Sequence, residues 1–131
     1  IDSRGSSDVW QIIIDKSGRL IGSYNFGGSE FDRGTSITKG PLGSTFITGY
    51  SRSLDGDMYI NKGENDIFLM YMADDGSELK TMILGGEGQD FAYDVLVRRD
   101  GGVMLVGQTF SKNPPYDQNN GKSDILVAHW R

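Results

Sequence analysis

The chain has 131 residues, enough for one ordinary domain, with a net charge of −5, 37% hydrophobic and 24% charged residues. This acidic balance excludes the basic footprint that nucleic acid or an anionic membrane requires, and no apolar run approaches the roughly 18 residues of a membrane helix. With no cysteine, a disulfide framework, a thiolate zinc site and a cysteine nucleophile are excluded as well.

The first element expected is a strand over Val9 to Ile14, apolar at nearly every residue and too short to trust as a helix. A turn, Asp15-Lys16-Ser17-Gly18, leads into a second strand, about Leu20 to Phe26. Gly27-Gly28 and Asp32 follow, then a third strand near Thr35 to Lys39, a Pro41-Leu42-Gly43 turn, and a fourth strand, Thr45 to Tyr50. A polar loop, Ser51 to Asn65, ends the unit, and the order then repeats. Strands are expected over Ile67 to Met72, Glu78 to Leu84, Tyr93 to Arg98 and Val103 to Thr109, then a loop from Phe110 to Ser123 and a last strand, Ile125 to Trp130. No helix is expected, because apolar residues never hold a helical period for three turns.

The repetition has a period of 58 residues without insertion or deletion. Asp8, Asp66 and Asp124 fall on it, as do Gly5, Gly63 and Gly121, and the pairs Gly27-Gly28 with Gly85-Gly86, Asp32 with Asp90, and Gly49 with Gly107. Such a period marks a stacked repeat architecture. Repeat 1 spans about residues 8–65, repeat 2 about 66–123, and a partial repeat 3 covers 124–131, all within one repeat region, 1–131. The apolar first strands are expected to be buried on both faces, between two layers. The fold class expected is therefore all-β, with tandem four-stranded antiparallel blades.

The motifs Asp8-Val9-Trp10, Asp15-Lys16-Ser17-Gly18-Arg19-Leu20, Phe26-Gly27-Gly28-Ser29 with Asp32, and Ile47-Thr48-Gly49-Tyr50-Ser51 resemble the bacterial β-propeller repeat called SBBP. The second unit carries the same resemblance through Gly85-Gly86, Asp90-Phe91-Ala92-Tyr93-Asp94-Val95, Asp100-Gly101-Gly102 and Leu105-Val106-Gly107-Gln108-Thr109. It covers about Gly5 to Trp130. The resemblance implies an extracellular or cell-surface location and a blade whose innermost strand is of the Tyr93-to-Val97 type and whose outermost is of the Glu78-to-Leu84 type. On that phasing the chain begins with two outer strands, runs through one full blade and ends three strands into another. Because Ile1 is not Met and the blades are few, a piece of a longer propeller is expected, with a ring of copies or a compact two-sheet packing as the other arrangements.

Functional residues are harder to find. Asp8, Asp66 and Asp124, and likewise Asp32 and Asp90, read as turn or cap residues that accept backbone N–H groups, because a role repeated in every unit is structural. Asp55, Asp57 and Asn61 are hard oxygen ligands at close spacing and form the one Ca²⁺ candidate, without the full EF-hand pattern. No other cofactor is expected. Asp94, on the inner strand, is the carboxylate a polysaccharide-acting enzyme would use. Tyr50, Tyr59 and Tyr116, in or beside the inter-unit loops, are the aromatics placed for a glycan or protein ligand. His129, the only histidine, reads as a core or crevice residue, and Trp10, Phe68, Tyr71 and Trp130 read as core. The expected function is a non-catalytic structural or binding segment of a larger β-propeller protein, whose partners are the rest of the propeller or further copies. The alternatives are a propeller enzyme fragment and a Ca²⁺-stabilised adhesive repeat.

Overall fold

A computed structural model of the chain describes residues 3–131. Among the described residues nine strands form: β1 Val9–Ile14, β2 Leu20–Phe26, β3 Asp32–Lys39, β4 Thr45–Ser51, β5 Asp66–Met72, β6 Leu79–Leu84, β7 Asp90–Val97, β8 Val103–Thr109 and β9 Asp124–Trp130. They make three antiparallel sheets, ordered β1-β2, β3-β4-β5-β6 and β7-β8-β9. The only helical turns among the described residues are single 3₁₀ turns at Pro41–Gly43 and Gly56–Met58. The third strand of each unit starts earlier than its apolar pattern suggests, at Asp32 and Asp90, because the repeated aspartate pairs with Ser51 or Thr109 and opens the ladder.

The sheets stack in three layers, and β5 shows why. Its alternate residues face opposite neighbours, as the twofold period of a strand dictates. Phe68, Met70 and Met72 pack with Val9 and Phe26 of the first sheet, and Ile67 and Leu69 pack with Ala92, Leu105, Val95 and Val103 of the third. β5 is therefore buried on both faces. β1 and β9 are not: Trp10 is 64% exposed, Ile12 48%, and Ile125 80%. The expectation of two-sided burial fails there because each of these strands has a packed layer on only one side. Trp10 is accordingly not a core residue, and Tyr71 and Trp130 are half-buried, whereas Phe68 is fully buried.

A seam of backbone bonds joins adjacent sheets at one end, and it also repeats. Asp32 N donates to Ser7 O at 2.8 Å, and Asp90 N to Asn65 O at 2.7 Å. Beside these bonds, Gly5 and Gly63 lie so close to the next turn that an added Cβ would come within 2.6 Å of the Gly28 carbonyl oxygen and 2.7 Å of the Gly86 carbonyl oxygen. Most of the repeated glycines thus recur where chains approach closely; only a subset, such as Gly18 at φ 86°, serves a left-handed turn.

Candidate functional site

The repeated aspartates hold the turns that position everything else. Asp8, Asp66 and Asp124 each accept the backbone N–H four residues earlier, from Arg4 at 2.6 Å, Lys62 at 2.7 Å and Asn120 at 3.1 Å. Asp32 Oδ2 accepts from Gly28 N at 2.8 Å and Ser53 Oγ at 2.9 Å, while Ser51 Oγ donates to its Oδ1. Asp90 repeats two of these contacts, with Gly86 N at 2.9 Å and Ser111 Oγ at 2.8 Å.

Asp66 and Asp90 are both fully buried, and each has one carboxylate oxygen without a hydrogen-bond partner. Burial raises the Asp66 carboxyl above its ordinary 3.8; the Asp90 charge adds to the rise, and the Lys62 amide opposes it. Below 3.8 the folded and unfolded chains both carry the proton and burial costs nothing extra. As pH rises through the higher folded value, the folded state carries a growing penalty, complete above that value. Asp66→Asn stays neutral and keeps a carbonyl for the Lys62 amide. Its melting temperature relative to the parent is expected to climb between pH 3 and 7; a flat or falling difference would refute the assignment.

The three calcium candidates do not converge as free ligands. Asp55 Oδ1 accepts from Ser29 N at 2.7 Å, Asp57 Oδ2 from Gly27 N at 3.1 Å and Arg4 Nη1 at 2.9 Å, and Asn61 Oδ1 from Gly63 N at 2.9 Å. Asp55 and Asp57 staple the loop back onto the Gly-Gly turn, whereas Asn61 bonds within the loop and, through Nδ2, to Ser51 O at 2.9 Å. The loop is also anchored by Met58, which is fully buried in the core between the first two sheets. Among the described residues, no group of three or more His, Asp or Glu side chains is placed to hold a metal.

The other nominated residues scatter. Tyr59 is exposed and donates its hydroxyl to Thr81 O at 3.0 Å. Tyr116 lies half-buried over the acid pair, where burial and then the Asp90 and Asp66 charges raise its phenol. Asp94 accepts from Ser36 Oγ at 2.6 Å and from Val95 N at 2.9 Å; the Ser36 hydroxyl, then the Val95 amide, hold its carboxyl below the ordinary 3.8. That is the opposite shift from the one a general acid needs. His129 is exposed rather than cored, with Nε2 2.9 Å from Arg98 Nη1.

Only Tyr50 stands in an aromatic cleft. It stacks on Phe31 with ring centroids 6.2 Å apart and meets Phe91 edge-on at 4.8 Å; Phe91 in turn meets Phe110 at 6.3 Å. The row crosses from the middle sheet to the third. The cleft it borders, of about 470 Å³, is rimmed by Glu30, Arg52 and Gln89. Arg52 is braced there, its Nε donating to Asn65 Oδ1 at 3.2 Å and its backbone N to Phe31 O at 2.9 Å. Sequence reasoning missed Phe31, Phe91 and Arg52. The signal that marks them is a broken repeat: Phe31 corresponds to Gln89, Arg33 to Phe91, Tyr50 to Gln108 and Arg52 to Phe110. At each of these positions one unit carries an aromatic and the other a polar side chain. No protein-family model matches the chain, and no curated protein matches it.

Proposed function

We propose that this chain is a non-catalytic recognition segment of a larger, extracellular or cell-surface propeller-type protein, and that the cleft bordered by Phe31, Tyr50 and Phe91 binds a glycan. The propeller reading is supported by the 58-residue period, by the β3-to-β6 strand order, and by the direct approach of equivalent strands β3 and β7 through Ser36 and Asp94. The rest of the propeller, or further copies, would be the partner of its exposed layers. The observation that carries the binding reading is the aromatic row with its polar rim. Flat ring faces suit the C–H face of a sugar, and Arg52, Glu30 and Gln89 offer donors and acceptors to ring hydroxyls. A cleft between two layers is also where ligand sites collect.

An array of neutral and acidic oligosaccharides tests this. Binding is expected, and Tyr50→Ala should weaken the best hit by roughly tenfold or more, as central aromatic anchors do. Tyr50→Phe should retain most of the affinity. An array without hits, or a hit indifferent to Tyr50→Ala, would remove the proposal.

A further inference from the structure

The β4-side edge of β1 and the outer face of β3 are open where their repeat equivalents are covered. β5 pairs with β4 along one edge and β6 along the other, and β9 pairs with β8. β1, their equivalent 58 residues earlier, pairs only with β2 among the described strands. The face of β3 beside that edge is bare too. Val95 of β7 is 5% exposed because β4 and its neighbours pack against it, whereas Ile37, the equivalent residue of β3, is 58% exposed. Edge and face together border a cleft of about 620 Å³ that includes Gln11, Gly34, Ser36 and Ile37.

The chain itself shows what fills such a cleft. Across the covered junction, β7 lies on β3 and β4. There, Thr35 Oγ1 lies 2.9 Å from the Ala92 carbonyl oxygen, and Ser36 Oγ donates to Asp94. One repeat back, the positions of Ala92 and Asp94 are Gly34 and Ser36, and both face the open cleft. We propose that this cleft is an interaction surface for a β-hairpin of the same repeat type, with the residue pattern of β3–β4. Its second strand would extend the β1-β2 sheet in the register by which β4 meets β5, Ser51 opposite Asp66 and Thr45 opposite Met72, so that the incoming residues meet Asp8 and Ile14. Its first strand would set a threonine hydroxyl on the Gly34 carbonyl and cover Ile37. The surface is not neutral to other strands, because the bulge at Thr35 that aims this hydroxyl is part of the hairpin's own register. This inference rests on the repeat and not on glycan recognition at the Tyr50 cleft, and its test uses no glycan.

The probe is a fluorescently labelled peptide of residues 32–51, titrated into the full chain and followed by anisotropy. Saturable binding is expected, with new hydrogen-exchange protection confined to β1 and β3. Ile37→Asp in the chain should weaken it at least tenfold, and since Ile37 is exposed, the variant should melt like the parent. Ile125→Asp, on the exposed face of β9, should leave binding unchanged. Thr35→Val in the peptide should weaken it roughly fivefold, the worth of one hydrogen bond. An isolated hairpin is marginally stable, so a second form places a copy of residues 32–58 directly before residue 1, which keeps the 58-residue phase. That chain should melt higher and protect β1. The proposal is overturned if a scrambled peptide binds equally, if Ile37→Asp has no effect, or if the extended chain gains neither stability nor β1 protection. A ring of copies that excludes the peptide would assign the edge to a second copy and overturn it as well.

Discussion

Asp32→Ala is expected to lower the stability of the chain by about 3–4 kcal/mol, out of the roughly 5–15 kcal/mol that a domain possesses. Three donors end on this one carboxylate: the Gly28 amide, the Ser53 hydroxyl and the Ser51 hydroxyl. The side chain is 2% exposed, so water does not replace it. Two effects oppose each other. Burying a carboxylate costs free energy, and alanine recovers that cost. Against it stand hydrogen bonds to a charged acceptor, about 1.5–3 kcal/mol each, and the penalty for donors left unpaired. Hydroxyls can turn elsewhere, but the Gly28 amide is fixed by the turn. The loss should therefore win. Asp90→Ala removes an acceptor from two donors, the Gly86 amide and the Ser111 hydroxyl, rather than three and should cost less. Asp32→Asn keeps a carbonyl for Gly28 and lets a serine reverse its role, so about half the loss is expected. Denaturant melts of the three variants check the order. If Asp32→Ala unfolds at the parent midpoint, or if asparagine is as damaging as alanine, the carboxylate is not the clasp described here.

Why these aspartates were legible in the chain, and the cleft was not, has a physical basis. A turn clasp works through groups near in sequence: Asp66 reaches the amide four residues back, and Asp90 reaches Gly86 at the same separation. Identical local chemistry in successive units appears as a period. The strands were legible for the same reason, since β1, β5 and β9 each carry an apolar run. Burial was not, because it depends on which layers are present. The run at Ile67 to Met72 is buried on both faces, while that at Val9 to Ile14 leaves Trp10 and Ile12 in the open. The acidic loop shows the same limit of composition. Asp55 and Asp57 read as ligands for a cation, but their partners are amides at Ser29 and Gly27, which only the folded chain brings near. The aromatic cleft joins Phe31 and Tyr50 to Phe91, residues far apart in sequence and absent from the repeat. A period hides the positions that break it.

Gly49→Ala is expected to cost about 3 kcal/mol or more, above the usual range of about 1–3 for overpacking. The reason is space, not conformation. Gly49 sits in the middle of β4, paired with Gly34 on one side and Phe68 on the other. A Cβ there would overlap the Arg33 carbonyl oxygen and reach 2.8 Å from Phe68 Cζ. The carbonyl belongs to the backbone and cannot rotate aside, and Phe68 is fully buried in the core between the first two sheets. Arg33 approaches so closely because β3 bulges between Gly34 and Ser36, and that bulge is what turns Thr35 toward the Ala92 carbonyl of the next sheet. The methyl group would thus disturb one ladder, one core and one inter-sheet contact together. Gly101→Ala separates the two kinds of glycine. Gly101 has φ of 84° with nothing within 4 Å of an added Cβ, so alanine there meets only conformational strain, about 1–2 kcal/mol. Gly107, the repeat equivalent of Gly49, faces the Phe91 carbonyl in the same way and should behave like Gly49. Chemical denaturation of the three alanine variants tests the ranking: if Gly49→Ala is no worse than Gly101→Ala, the bulge is soft and the contact yields. Because Tyr50 is the next residue, Gly49→Ala should also weaken oligosaccharide binding, but only in step with lost stability, whereas Tyr50→Ala should lose binding in a chain that remains folded.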